Sequence, residues 1–536
     1  MPAVEQSEAV WGLQPGLDRG RSERRRRSEV KSIRWWPAIL ISIAAAGGLI
    51  WVWGWYGASR QDRIVATAPV LFGTIVLLLF WLVLFSRAHS KIRWTVLGGV
   101  AGALAIAVGL FRIRGVTGDL LPILEFRWKR SVAQPIELSP APAAKPEIKS
   151  TPFDYPQFLG PNRNATVAGP KLRRDWAANP PSLLWRQPIG AAWSGFAVVG
   201  DRAVTQEQRG EDEMVVCYDL NSGRVLWSHA DRTRYFTTIA GEGPRATPTI
   251  VSNRIYALGA TGRLNCLDLA SGKPIWSKDI VEDNRSHVPE WGLSGSPLVV
   301  DDLVIVSAGG RDGRSLVAYE RETGQFKWGG GTDGAGYSSP YLATLGGARQ
   351  ILIFNAHGIA AHTLGSGNVL WEYPWPGGHP HVALPVILPG DQVLVSSGYG
   401  TGSELLKIQS GTNWIPRRVW KSTRLKAKFT NVVYRDGFIY GLDDGILVCL
   451  DASDGALKWK EGRYGHGQVI LVDDLMLVMA ESGEVVLIEP VPEEHRKLAG
   501  FRALHSKTWN PPSLAGEFLL VRNDKEAARY RMPVAE

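Results

Sequence analysis

A chain of 536 residues, 45% of them hydrophobic, is too long for one ordinary core and implies several domains or one large repeated architecture. The formal net charge of +9 is unevenly placed: residues 1–130 hold 18 Lys+Arg against 8 Asp+Glu, leaving 42 against 43 for the rest. So neutral a C-terminal part excludes the clustered, unpaired cations of a general nucleic-acid surface.

Residues 1–34 form a basic arm carrying Arg24, Arg25, Arg26, Arg27, Lys31 and Arg34. Three windows without any charged residue follow, at 35–56, 64–85 and 94–111. At about 1.5 Å per residue, each crosses or nearly crosses a hydrocarbon core of about 30 Å. The first is too long for a signal-peptide core and lacks a small-residue cleavage site, so residues 35–111 read as a three-span anchor in a lipid bilayer. Cations in the arm and in the second loop (Arg87, Lys91, Arg93) place both in the cytoplasm and everything after the third span outside, with Arg112 and Arg114 opposing that orientation. The expected location is therefore a bacterial inner membrane, with the C-terminal domain in the periplasm. Residues 112–150 read as a juxtamembrane segment and a linker. Its stretch SVAQPIELSPAPAAKPEIKS, 131–150, holds four prolines and predicts an extended, semi-rigid tether.

From residue 151 onward one string recurs. CYDLNSGRVLW ends at Trp227, CLDLASGKPIW at Trp276 and CLDASDGALKW at Trp459, with weaker copies ending at Trp328, Trp371 and Trp420. Trp185 and Trp509 extend the series to eight. An independent signal keeps the same beat: eight apolar–turn–apolar hairpin patterns, from FAVVGDRAV at Phe196 to PSLAGEFLL at Pro512, start at intervals of 37–52 residues. In each string the Asp (Asp219, Asp268, Asp451) accepts turn N–H groups. The Gly (Gly223, Gly272, Gly324, Gly367, Gly455) supplies positive φ, and the Trp lies on an outer strand where it covers the gap to the next sheet. Four strands per unit without helical periodicity predict an all-β fold, an eight-bladed β-propeller of four-stranded antiparallel blades after three transmembrane helices, with seven blades as the alternative. The last unit lacks a Trp string, so PSLLW, 181–185, is expected to close the ring as its outer strand.

The D-x-x-S/T-G-x-x-x-W repeats resemble the PQQ-like repeat shared by quinoprotein dehydrogenases and the outer-membrane assembly lipoprotein BamB. YPQFLGPNR at 155, GPRATP at 243, WGLSGSPLV at 291, GYSSP at 336 and SSGYGTG at 396 are similar to membrane-tethered bacterial members of that family. For quinoprotein alcohol dehydrogenases the resemblance implies an adjacent Cys-Cys pair against PQQ, a Glu, Asn and Asp around Ca²⁺, and an Asp base. No adjacent cysteines occur; Cys217, Cys266 and Cys449 hold one repeat position in three units and read as small buried hydrophobes. Membrane-bound quinoprotein glucose dehydrogenase also joins spans to a propeller, but with long capping insertions for which the intervals here leave little chain.

Residues just before the inner strands are expected at the funnel mouth and are candidates for binding a ligand or peptide: Arg245, Trp291 and Ser294 from the early units, then Tyr337 and Ser338. His379, His381, Tyr399, Asn431 and His466 follow from the later ones. Solvated polar turns are the plainer account of the same residues. HPH at 379–381 suggests two imidazoles on one strand face, but no third ligand has suitable spacing, and the acidic strings at 443 and 451 lack the bidentate Glu of a calcium loop, so no metal site is expected. No GxSxG, HExxH, P-loop or CxxC string and no catalytic residue is identified. The expectation is a monomeric, membrane-anchored scaffold binding envelope proteins or polymers, without cofactor and without nucleic acid; the alternative is a dehydrogenase oxidising a sugar or alcohol with PQQ and Ca²⁺.

Overall fold

The computed structural model describes residues 32–57, 59–128 and 148–535. The arm up to Lys31 and most of the tether, 129–147, lie outside the described residues. Two compact units result.

One unit is helical and takes in its second helix only from Ala66 onward, residues 57–65 belonging to the other unit. Helices α1 (Trp36–Gly54), α2 (Arg60–Leu84) and α3 (Ser90–Leu110) have 19, 25 and 21 residues, each long and apolar enough to cross a membrane. The second and third begin about four residues before the uncharged windows. Absence of charge marks where lipid-compatible sequence starts, whereas hydrogen bonding starts at the cap: Ser59 N donates to Asp62 Oδ2 (2.9 Å) and Asp62 N to Ser59 Oγ (3.2 Å), a reciprocal cap that admits Arg60 and Arg63 to the first turn of α2.

The other unit holds eight four-stranded antiparallel sheets, spanning 197–231, 249–279, 298–330, 341–374, 386–422, 433–463, 468–502 and 513–531 with Ser182–Pro188. They are called blades 1 to 8 in that order. Ser182–Pro188 pairs antiparallel with Glu526–Arg531, Trp185 opposite Arg529, so the ring closes through the strand expected from PSLLW. A two-residue strand, Thr166–Val167, adds parallel to Gln468–Val472 in blade 7.

The outer rim explains the repeat. In DLASG of blade 2, Asp268 Oδ1 accepts from Ser271 N (2.8 Å) and Ser271 Oγ (2.5 Å), and Gly272 N donates to Asp268 O (2.8 Å) at φ +70°. A Cβ on Gly272 would stand 2.3 Å from the ring of Trp227 in blade 1, so the indole lies flat on the bare glycine. Its Nε1 donates to Leu269 O at 3.0 Å. The same seating recurs for Trp185 on Gly223, Trp276 on Gly324, Trp328 on Gly367 and Trp420 on Gly455. In blades 1 to 6 the outer strand bulges just before the Trp, leaving one residue unpaired and setting the Trp opposite Cys217, Cys266, Ala318, Ala361, Leu405 or Cys449. The three cysteines are free and buried in separate blades.

Blade 7 corrects the series. Its bulge places Ala499, opposite Leu487, where the other blades carry Trp; Trp509 lies beyond the outer strand Arg496–Arg502 and belongs to the funnel. The reason is topological: a Trp there would seat on the outer turn of blade 8, and at the closure the two strands that would share that turn come from opposite ends of the propeller. Trp176, from the entering chain, packs edge-on against Phe501 of that strand instead (5.7 Å).

Phe111, the last residue of the third window, and residues 112–126 of the expected juxtamembrane segment form a hairpin of β1 (Phe111–Val116) and β2 (Pro122–Phe126) belonging to the propeller unit.

Candidate functional site: the central funnel

In a four-stranded meander the first and third turns share one end of the sheet, and the second turn shares the other with the connection to the next blade. The Asp-Gly turns are third turns, so the segments leading into the inner strands converge on the opposite face. Their side chains make a belt of hydrogen bonds around the axis. Gly195 N donates to Thr247 Oγ1, Thr247 N to Ser296 Oγ and Ser296 N to Ser339 Oγ, each at 2.9 Å. Ser338 Oγ donates to Ala383 O (3.1 Å), and Leu384 N to Asn431 Oδ1 (3.0 Å). Gln468 Nε2 reaches Phe429 O (2.6 Å) and Trp509 O (2.9 Å), and Asn510 Nδ2 returns to Ala192 O (3.0 Å) and Ser194 O (2.8 Å) in blade 1. Buried polar groups require partners, and here the partners join every blade to its neighbour.

Inside the belt lies an aromatic cavity of about 130 Å³. Trp193 and Trp509 are 4.8 Å apart between ring centroids, Trp509 and Phe429 4.9 Å, Phe429 and Trp291 6.1 Å, and Trp291 and Tyr337 5.4 Å. Phe158 of the entering chain also lines it. Behind Phe158, buried Arg163 donates to Ser296 O (2.9 Å) and Pro297 O (3.0 Å), and burial pulls its guanidinium down to about 9. The entering chain thus contributes Phe158 to the cavity wall.

The mouth is cationic. Lys507 Nζ sits 3.7 Å from the centroid of Trp509 and 4.7 Å from that of Trp193; Lys428 Nζ lies 4.9 Å from Tyr399 and 5.4 Å from Phe429. Burial lowers both ammonium groups to about 8, partly offset by Asp524 and Glu481 near Lys507 and by Asp119 near Lys428. Arg245, over the Tyr235 ring at 4.4 Å, is lowered to about 10 by burial. Glu213 of blade 1 accepts from Ala260 N of blade 2 at 2.9 Å (Oε1) and 3.2 Å (Oε2), and burial raises it to about 7.

Of the ten candidate residues, Arg245, Trp291, Ser294, Tyr337 and Asn431 line the cavity. Tyr399 and His379 stack on each other beside it (4.9 Å). His466 packs edge-on to Phe429 (5.8 Å) and faces Asp119. Ser338 and Asn431 are spent on the belt. His381 is buried, stacked on Phe354 at 4.2 Å with Nδ1 toward Asn355 O at 2.6 Å, whereas His379 is exposed. The HPH string is loop, not strand, so the two imidazoles do not share a face. Trp193, Phe429, Trp509, Lys428 and Lys507 were missed. The signal available for two of them was position: Trp193 and Trp509, like Trp291, shortly precede an inner strand.

Among the described residues no two cysteines lie together. The cysteines sit in blades 1, 2 and 6, and Glu481 already accepts from Trp509 Nε1 (2.9 Å) and His466 N (3.0 Å). No cluster of three or more His, Cys, Asp or Glu side chains suited to a metal occurs among the described residues.

A family model described as outer membrane protein assembly factor BamB matches residues 211–461. The BamB of Shewanella oneidensis is 24% identical over 334 residues, 51% of this chain and 78% of that protein. Quinohemoprotein alcohol dehydrogenase ADH-IIG of Pseudomonas putida is 26% identical over 155 residues, 26% of this chain but only 21% of the dehydrogenase. The solved structure of that enzyme from strain HK5 superposes with a TM-score of 0.50 at 12% identity, covering 72% of this chain and 81% of the enzyme, a likeness of fold. The repeat, the eight-bladed ring and these likenesses make the chain similar to the PQQ-like repeat β-propellers.

Proposed function

We propose that this chain is a non-catalytic binding and assembly scaffold: a multi-pass protein of the bacterial inner membrane whose periplasmic propeller receives envelope proteins at its funnel mouth. The observation that carries this reading is how the funnel uses its polar groups. Thr247, Ser296, Ser339, Asn431, Gln468 and Asn510 tie blade to blade, and what is left facing the cavity is mostly aromatic and aliphatic with Arg245, while Lys428 and Lys507 stand against the aromatic rings at the mouth. Indole and phenol rings with a cationic rim are the anchors of a recognition surface. The likeness to BamB, named as an assembly factor, supports the same reading. A photocrosslinker replacing exposed His379 is expected to capture envelope proteins in intact cells, and recovery of none would defeat the proposal.

The likeness to quinohemoprotein alcohol dehydrogenases favours one second reading, a PQQ-dependent dehydrogenase. A ligand that binds only the folded chain raises its melting temperature. Addition of PQQ with Ca²⁺ is expected to leave the melting temperature unchanged, without dye reduction on alcohols or sugars; a rise together with dye reduction would establish the dehydrogenase instead.

A further inference from the structure

The mouth of the funnel is filled by the chain itself. β1 begins at the residue after α3, and the turn between β1 and β2 projects onto blades 6 to 8. Val116 O accepts from Lys507 Nζ (2.8 Å), and Gly118 O accepts from Lys428 Nζ. Gly118 N donates to Glu481 Oε1 (2.7 Å), while Asp119 faces His466 Nε2 (Oδ1, 3.1 Å) and Arg60 Nε (Oδ2, 3.3 Å). Along the strands, Arg114 pairs with Asp524, and Glu125 with Lys525 (3.2 Å). A Cβ on Gly118 would stand 2.1 Å from the His466 ring, so the site fits a glycine there and little else.

Three observations separate this contact from ordinary packing. β1 and β2 pair with each other alone and join no blade; a two-stranded hairpin is marginal by itself, so its order depends on the mouth that holds it. Lys428 and Lys507 form no ion pair among the described residues; the turn offers both a neutral backbone carbonyl, and Gln61 Oε1 also accepts from Lys428 Nζ. And the only carboxylate on the turn, Asp119, is recognised as an anion: burial would raise it, but the His466 bond and the charges of Lys428 and Arg60 hold it below the ordinary range.

We propose that the funnel mouth is a receptor for an acidic, glycine-containing β-turn, that residues 111–126 occupy it in cis, and that a partner protein presenting such a turn enters by displacing them. The inference rests on the scaffold reading and specifies its partner: a hairpin with Gly-Asp at the tip, its carbonyls to Lys428 and Lys507, its carboxylate to His466, its N–H to Glu481. An aromatic wall beneath the tip excludes water from these contacts, which strengthens them.

The test uses the full chain in detergent and a fluorescein-labelled, disulfide-closed peptide reproducing residues 111–126. A tethered segment competes at an effective concentration on the order of millimolar, so the native chain is expected to bind the peptide weakly. Gly118→Val, which drives a side chain into His466, and Asp119→Ala, which adds no volume, are each expected to bind it at least tenfold more tightly by fluorescence anisotropy. Asp119→Asn within the peptide, or Lys428→Gln in the Asp119→Ala chain, is expected to weaken binding about tenfold. Equal affinity for the native chain and for Asp119→Ala, with a native-like melting transition, would overturn the proposal. Peptide exchange without any envelope protein captured from His379 would overturn the scaffold reading and support occupancy in cis, whereas captured proteins without exchange would overturn the cis occupancy alone.

Discussion

The outer rim and the funnel mouth are built from similar residues on opposite principles. At the rim a single contact, indole on glycine with the N–H to the neighbouring turn, is repeated from blade to blade by residues at fixed spacing. At the mouth each blade contributes something different: Trp193 from blade 1, Arg245 leading into blade 2, Trp291 into blade 3, Lys428 and Phe429 into blade 6, Trp509 into blade 8. Repetition makes the rim a structural element, since each contact must hold one more blade. Individuality makes the mouth a site, since its residues converge on one small space and need not resemble one another.

The largest effect that would sharpen this contrast is on stability. Trp227 is 7% exposed and sandwiched between blades. Trp227→Ala is expected to cost about 3–5 kcal/mol in denaturant unfolding. Trp291→Ala, at the wall of an existing cavity, is expected to cost about 1–2 kcal/mol, because one side of its ring already lacks packed neighbours. Similar losses at both sites would remove the distinction between rim and mouth.

Next in size is a pH effect confined to the mouth face. Glu213 bridges blades 1 and 2 and is raised from 4.5 to about 7 by burial. For an acid with a raised folded pKa, the folded state holds the extra proton between those two values, so stability is fully present below 4.5 and is lost as pH rises through 7. At about 1.4 kcal/mol per unit, the wild-type chain is expected to lose about 3 kcal/mol across that window relative to Glu213→Gln, whose amide oxygen still accepts from Ala260 N. Melting curves of the two chains from pH 4.5 to 8 decide it; parallel profiles would show that the blade junction does not sense this carboxyl.

What the sequence disclosed follows the same division. Eight blades, the closing strand at Trp185 and the roles of Asp268, Gly272 and Trp227 were legible because they recur with a period and use turn chemistry local to five residues. Trp509 was miscounted as a rim residue because spacing was its sole label; Ala499 holds the rim position, and only the closure topology explains why alanine suffices. The bulge before each rim residue left no compositional trace, since the unpaired residue is Leu226, Ile275 or Lys327 according to blade. Lys428 and Lys507 were invisible because their meaning depends on a hairpin more than 300 residues away in the chain. That hairpin starts at Phe111, the last residue of the third uncharged window, and its Arg112 and Arg114 read only as cations beyond that window.

The smallest expected effect tests whether the rim contact is more than buried area. Trp227 and Trp328 seat on Gly272 and Gly367 alike, each with the ideal Cβ position 2.3 Å from the ring. They differ in one bond: Trp227 Nε1 donates to Leu269 O at 3.0 Å, whereas Trp328 Nε1 is buried with no acceptor among the described residues. The turn that follows Trp328, in blade 4, carries Thr363 in place of the Asp, bonded to Ser366 through its hydroxyl. Replacing either Trp by Phe removes similar ring area, but Trp227→Phe also strips Leu269 O of its indole donor, while Trp328→Phe deletes an unsatisfied N–H. Trp227→Phe is therefore expected to be the costlier by about 1 kcal/mol. Equal costs in denaturant unfolding would reduce the rim to area burial alone; a larger loss for Trp328→Phe would mean that its N–H has found a partner, and that the Thr363 turn rearranges to supply it.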